Sequence, residues 1–285
     1  CLSRGLGDVY KRQVSDLNCN SGISYSVTHK YQIKFYRMID IYSTYEKLKT
    51  LLKEEGFNLI CRINVEEYDK ETPLTRRISN ILPEAKSAII VAFAGKEFWE
   101  KLKRFLKENP RFARSTENWI DEYTVLKITE VTAILKPRIS KCKVVFPFSQ
   151  PGLNLDFMKL GELGGIGTKS LLGILIHPTY GSWISIRGAI LTDAEFNSYD
   201  GPLANFTPCK GCQKPCINAC PAKAISLNGW NYKACLHFRL STDICSSNCI
   251  SRRACPYGME HQYSKEQLAH HQRAILRDVK KYWCD

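Results

Sequence analysis

Cys209–Pro221 reads CKGCQKPCINACP. Four cysteines stand in thirteen residues, with gaps of two, three and three, and a proline follows the last. A bacterial ferredoxin run has gaps of two, two and three before its Cys-Pro. The stretch admits several readings: an iron–sulfur run with one widened gap, a zinc knuckle, a disulfide staple or a redox dithiol. The other cysteines of the chain discriminate among them.

Eight of the thirteen cysteines lie between 209 and 255: Cys209, Cys212, Cys216, Cys220, Cys235, Cys245, Cys249 and Cys255. Cys220 and Cys255 are each followed by proline. In a two-cluster ferredoxin, three cysteines of a run hold one cluster and the Cys-Pro cysteine crosses to the other. Proline fixes φ and stops a helix from continuing, which turns that thiolate away from its own run. By this pattern one [4Fe–4S] cluster takes Cys209, Cys212, Cys216 and Cys255. The second takes Cys235, Cys245, Cys249 and Cys220, and no cysteine of the eight is left over. Two zinc ions would use the same eight ligands, although three-residue gaps and a crossing Cys-Pro suit paired knuckles less well. Disulfides belong to oxidising compartments. A dithiol does not account for the company Cys209 and Cys212 keep. After Cys220 the spacing is irregular, with nine, three and five residues between Cys235, Cys245, Cys249 and Cys255. Lys210, Lys214, Lys223, Arg252 and Arg253 are interspersed; where they point inward they offset cluster charge and raise its potential.

The chain carries 41 Lys/Arg against 28 Asp/Glu, a formal net charge of +13. That balance favours acidic partners, either nucleic acid or an acidic electron carrier of ferredoxin or flavodoxin type. No apolar run approaches the roughly 18–20 residues of a membrane span, and no secretory signal pattern is present. Clustered thiols without such a signal place the protein in the cytoplasm, with the cysteines on metal. Ser3–Gln13 (SRGLGDVYKRQ) resembles the translation of a transposon-style sequencing adapter. Residues 1–37 are therefore expected to be an artefact or untranslated leader, with the start at Met38, and are set aside from the fold.

The remainder divides into an α+β domain at 38–200, a compact two-cluster domain at 201–260 and a C-terminal helix at 261–285. Ser43 and Glu46 form a capping box for a helix that Gly56 ends. Phe57–Val65 reads as a short strand and Ser87–Phe93 (SAIIVAF) as a buried one. Lys96–Glu108 is helical until Asn109-Pro110, and Thr116–Leu135 is a second long helix. Further strands are expected at Lys143–Phe148, near Leu171–Ile176 and at Trp183–Thr192. Turn-rich Ser198–Pro208 marks the boundary. The cysteine-rich segment is too poor in apolar residues to fold without staples. Ser264 and Gln267 form a second capping box, opening a helix to about Tyr282. Cys61 and Cys142 sit in apolar strand contexts as structural thiols, Cys19 falls in the leader, and Cys284 has no partner motif. His237 is expected to pack, and His270 and His271 to face solvent.

Gly161–Ser170 (GELGGIGTKS) does not have phosphate-loop spacing, because Thr168 intervenes between Gly167 and Lys169. Its glycines allow a tight turn and close backbone approach, to a neighbouring strand or to a flat cofactor. The candidate cofactor face comprises Gly164, Gly165, Gly167, Lys169, Tyr180 and Trp183.

These residues together resemble the epoxyqueuosine reductases. GELGGIGTKSLL, YGSWISIRGAILTD, the cysteine run and ACPAKAI match that family's order and spacing from about Gly161 to Pro256. PCINACP, CSSNCISRRACPYG and HQYSKEQLAHHQ are similar to a shorter ferredoxin-like branch. The resemblance implies a cobalamin-binding-reductase-like domain before the ferredoxin-like unit, two [4Fe–4S] clusters, cobalamin and a tRNA substrate. It also implies an acidic proton donor thirteen residues before the glycine-rich segment. In this sequence that count from Gly161 falls on Phe148, with Pro151 in its expected place, and phenylalanine cannot donate a proton. The leading expectation is an iron–sulfur protein that relays single electrons. A cobalamin-dependent reductase of modified nucleosides or small molecules, and a binding module merely stapled by its clusters, are the alternatives.

Overall fold

The computed structural model describes residues 41–283 apart from 136, 138, 149–153 and 197, with side chains to residue 277. The expected leader, Met38, Cys19, Pro151 and Cys284 lie outside the described residues. Ser43–Asp285 form one compact unit. Its strands are β1 (Leu59–Asn64), β2 (Ser87–Ala94), β3 (Cys142–Val145), β4 (Thr168–Lys169), β5 (Leu175–Ile176), β6 (Ile184–Thr192), β7 (Ile225–Ser226) and β8 (Gly229–Trp230). Its helices are α1 (residues 41–54), α2 (Val65–Glu71), α3 (Glu97–Glu108), α4 (Pro110–Ser115) and α5 (Trp119–Thr132). They continue as α6 (Phe157–Leu163), α7 (Pro215–Asn218), α8 (Tyr232–Ser241), α9 (Ile250–Arg253) and α10 (Lys265–Trp283).

Every residue of β2 (SAIIVAFA) is buried, so this strand is covered on both faces. It pairs antiparallel with β1 and β6, and β6 pairs with β3, giving the order β1-β2-β6-β3. Side chains alternate across the sheet. Ala88, Ile90, Ala92 and Ala94 face a core with Ile63, Leu160, Ile184 and Leu191. On the other face Phe93 stacks on Phe98 of α3, 4.1 Å between centroids. Tyr123 of α5 meets Phe98 edge-on at 5.6 Å. Fully burying side chains of this size stabilises by about 1.5–3 kcal/mol each, which holds α3 and α5 to the sheet.

The register breaks once. Val91 faces Gly188 and Ala92 faces Ile186, leaving Arg187 as the extra residue of a bulge. A bulge re-aims one side chain, and here it turns a guanidinium into the interior, where Arg187 is 7% exposed.

Several boundaries differ from the sequence reading for local reasons. Helix α1 is already formed at residue 41, so Ser43 lies within it and is not its cap. Asn64 ends β1 and opens α2, its side chain accepting from the backbone N–H of Glu66 and Glu67. Pro110 ends α3 and also begins α4, where a first-turn residue needs no N–H. Thr116 Oγ1 accepts from Asn118 N at 2.9 Å, which delays α5 to Trp119. Only Leu175–Ile176 of the strand expected near Leu171–Ile176 forms, because Gly173 N turns back to Ser170 O at 3.1 Å.

The cysteine-bearing segment has a small core of its own: Leu172, Ile176, Ile225, Cys216 and Cys255. It meets the loop before β6 backbone to backbone. A Cβ at Gly181 would collide with the Tyr257 carbonyl, and one at Gly258 with Tyr180. Both glycines have positive φ, +56 and +67, so bareness and conformation are required together.

Helix α10 opens with Gln267 N donating to Ser264 Oγ at 3.0 Å. The Gln267 side chain does not close the box; its Nε2 donates to the Gly95 carbonyl at 3.2 Å, tying the helix to the end of β2. His270 is buried at 6% exposure, with Trp99 at 5.4 Å and Trp119 at 5.3 Å. His271 stacks on Tyr263 at 5.3 Å. These contacts correct the expectation that both histidines face solvent; α10 packs its histidine face onto α3 and α5.

Candidate metal centre

Two short turns of like design carry the Cys-Pro steps. Helix α7 ends at Ala219 (φ −78, ψ −9), and α9 ends at Ala254 (φ −76, ψ −11). Cys220 N donates to Ile217 O at 3.3 Å, and Cys255 N to Arg252 O at 3.3 Å. The two helices pack against each other. Each Ala-Cys-Pro turn thus ends a helix that packs on the other.

The thiols fall into two neighbourhoods. Burial first, then Cys255, Cys209 and Cys212, push the Cys216 thiol up from its ordinary pKa. Cys255 is raised by burial and by Cys212 and Cys209, against a backbone N–H at Tyr257 and the charge of Arg252. The second neighbourhood shares no member with the first. Cys245 is raised by burial, then by Cys249, Cys235 and Cys220. Cys235 is raised by burial and by Cys249 and Cys220, while Trp230 and Arg239 act in the opposite sense. Cys209, Cys212, Cys216 and Cys255 thus keep one company, and Cys220, Cys235, Cys245 and Cys249 another.

Local structure prepares these positions. Lys214 sits in the left-handed region (φ 55) just before Pro215, and its N–H donates to Cys212 Sγ at 3.3 Å. Lys223 is also left-handed (φ 51), and Ala224 N donates to Cys220 Sγ at 3.4 Å. Asn231 caps α8 through Ala234 N at 3.1 Å, fixing the helix that carries Cys235. Cys249 is the N-cap of α9.

Four thiols held together in part-buried surroundings repel one another as thiolates, so a bound cation is what such a donor set fits. No three His, Cys, Asp or Glu side chains among the described residues converge on one metal-ion position. Four thiolates on one zinc would each lie about 2.3 Å from it. Cluster thiolates each bind a different iron atom, so four of them need not meet at one point. Backbone N–H groups aimed at sulfur are a further feature of cluster loops.

The interspersed cations do not all point inward. Arg252 donates to the Ser182 carbonyl from Nε at 3.1 Å and lies 4.8 Å from the rings of Trp183 and Tyr263. Arg253 bonds Asn248 and Gln262 at 2.8 and 2.7 Å. Lys214 Nζ donates to the Cys212 carbonyl at 3.0 Å. The cation nearest the second group is Arg239, which the sequence reading passed over. It stands four residues after Cys235, the one available signal.

The candidate cofactor face is spread out. A Cβ at Gly164 would strike Cys61 Sγ, one at Gly165 would meet the Gly201 carbonyl at 2.6 Å, and one at Gly167 the Ile176 carbonyl at 2.8 Å. The chain itself fills the space beside all three. Lys169 is half-exposed and pairs with Glu162 at 2.9 Å. Tyr180 packs between His177 and His261, 5.0 and 4.7 Å away. Trp183 is fully buried against Tyr263 at 5.4 Å. Cys61 is buried, Cys142 half-buried and His237 exposed. Phe148 is half-buried, 5.7 Å from Phe146, with the Arg187 guanidinium on its face.

No protein-family model matches the chain. An epoxyqueuosine reductase of Listeria monocytogenes is 30% identical over 171 residues, covering 57% of this chain and 42% of the relative. The chain thus spans less than half the length of that relative. Among solved structures, an epoxyqueuosine reductase with an epoxyqueuosine-modified tRNA stem loop superposes with a TM-score of 0.54. It is 16% identical, over 86% of this chain and 76% of that one. A B12-trafficking protein of C. elegans superposes with a TM-score of 0.53, at 11% identity, over 85% of this chain and 97% of that one. The chain is related in sequence to epoxyqueuosine reductase over part of its length, and its mixed helix-and-sheet fold is shared with these structures. No described helix is long and apolar enough to cross a membrane.

Proposed function

We propose that this chain is an iron–sulfur oxidoreductase of the epoxyqueuosine-reductase kind. Its eight clustered cysteines hold two [4Fe–4S] clusters that pass single electrons toward the sheet domain. The relay and the reductase readings are then one: the clusters relay, and a reduction on the sheet side consumes the electrons. The observation that carries this is the partition of the thiols into two groups of four, each including the other run's Cys-Pro cysteine. In this reading 38–200 is the cofactor and substrate domain, 201–260 the two-cluster domain and 261–285 the closing helix, in a cytoplasmic protein.

Cofactors carry the hard redox chemistry when bound; the chain supplies placement and charge. Cobalamin is supported by relatedness to the reductases and by the fold shared with the B12-trafficking protein. The chain itself lies where a Cβ would go at Gly164, Gly165 and Gly167, and no step is assigned to a cobalamin contact. The tRNA stem loop of the related reductase and the net charge of +13 support a nucleic-acid substrate. The same charge suits an acidic ferredoxin or flavodoxin as donor. Phe148 argues for a reduction that takes its proton from a group other than the family's carboxylic acid.

Anaerobic reconstitution with iron and sulfide analysis and EPR tests the cluster assignment. Eight irons with a dithionite-reducible signal near the visible charge-transfer band are expected; two zinc ions in a colourless protein would overturn it. Titration of the reconstituted protein with cob(II)alamin tests the second cofactor.

A further inference from the structure

Arg239 is a buried cation with no carboxylate. It is 9% exposed. Its Nη2 donates to the Gln272 carbonyl of α10 at 2.9 Å, and its Nε has no protein partner. No ion pair to it occurs among the described residues. A carbonyl is neutral, and burying a charge without a counter-charge costs several kcal/mol. Arg239 lies one helical turn from Cys235 on α8, where residues four apart share a face. The charged groups around it are the thiols of Cys235, Cys249 and Cys245. The first group has Arg252 beside Cys255, its guanidinium donating to the Ser182 and Ile184 carbonyls.

We infer that Arg239 is the counter-charge of the second thiolate group and raises the potential of its cluster. This rests on the two-cluster reading. Reduction adds one electron to an already anionic centre, and a fixed positive charge beside it favours the reduced state. Guanidinium keeps its proton when buried. Through Gln272, α10 holds that charge in place.

The test is a redox titration of the anaerobically reconstituted full chain, followed by EPR, with iron and sulfide counted in each variant. Wild type is expected to show two transitions, one of them lost in Cys245→Ser. Arg239→Gln should move that transition to lower potential and leave the other where it was. Both transitions unmoved, or moved equally, with both clusters loaded, would overturn the inference. Arg239→Lys covers the case in which Arg239→Gln does not load. A lysine variant that binds both clusters and keeps the Cys245-sensitive transition where wild type has it supports the inference. One that fails to load, or loads with that transition lowered as expected of Arg239→Gln, counts against a charge role. A wild-type protein that binds no iron would sink the two-cluster reading itself, a distinct outcome.

Discussion

The guanidinium carbon of Arg187 lies 4.4 Å from the centroid of the Phe148 ring. The bulge in β6 aims this arginine inward, and Asp121 of α5 accepts from its Nη2. Thr124 Oγ1 accepts from its Nε at 3.4 Å. Phenylalanine thus covers an ion pair at the position where the related reductases are expected to carry an acid. A second carboxylate there would compete with Asp121 for the same cation.

That competition can be measured. Asp121→Asn leaves Arg187 buried without a counter-charge and should destabilise by about 3 kcal/mol, the lower end for a broken buried pair, since Asp121 is partly exposed. Phe148→Glu in that background should recover part of the loss by supplying a carboxylate to the guanidinium. Anaerobic urea denaturation of both proteins checks it. A double variant no more stable than Asp121→Asn would show that residue 148 cannot reach Arg187 productively.

The glycine-rich segment makes a second expectation. A Cβ at Gly164 would overlap Cys61 Sγ and stand 3.2 Å from Ile63 Cγ2. Gly164→Ala should cost about 1–3 kcal/mol through overpacking. Cys61→Ala removes the struck atom, so the double variant should be more stable than the two single effects summed, by on the order of 1 kcal/mol. Additive effects would show that Gly164 is not bare for the sake of Cys61.

Local chemistry was legible in the sequence; distant partners were not. The order of the eight cysteines and the two prolines is written within 47 residues, Cys209 to Cys255, and ligand spacing is a short-range signal. β2 was readable because, after Ser87, AIIVAF has no polar residue to place on a wet face. Arg187 and Asp121 are 66 residues apart, and a bulge of one residue decides which way the arginine points. Arg239 reads as an exposed helix residue until α10 folds over it. His270 and His271 look solvated beside Gln and Arg; their burial follows from Trp99 and Trp119, on other helices.

His270 gives the fold a pH dependence. Burial, then Arg277 and Arg273, hold its pKa down at about 4 against an ordinary 6.5. The folded state therefore keeps the neutral imidazole while the unfolded chain takes up a proton below pH 6.5. Stability from this group is complete above that pH and is lost as pH falls toward 4, on the order of 2 kcal/mol after allowing for solvent screening. His270→Phe keeps an aromatic ring between the two tryptophans and has nothing to titrate. Its unfolding midpoint should fall less than wild type between pH 6.5 and 4; parallel curves would assign the acid sensitivity elsewhere.

The crossing of the Cys-Pro cysteines is open to a direct genetic test. Cys220 lies in the first run by sequence, but its electrostatic neighbours are Cys235 and Cys245 of the second. Cys220→Ser should perturb the EPR signal that Cys245→Ser perturbs and leave unchanged the one that Cys212→Ser perturbs. Cys255→Ser should do the reverse, joining Cys209, Cys212 and Cys216 although it ends the second run. Each loss should take about four of the eight irons where the cluster cannot assemble with three thiolates. Cys61→Ser and Cys142→Ser should keep all of them, because Cys61 lies in β1 and Cys142 in β3 of the sheet. If Cys220→Ser instead tracked Cys212→Ser, each run would hold its own cluster, and the packing of α7 on α9 would be structural only. If it tracked Cys245→Ser, the two Ala-Cys-Pro turns would be the points at which each run reaches across to complete the other's cluster.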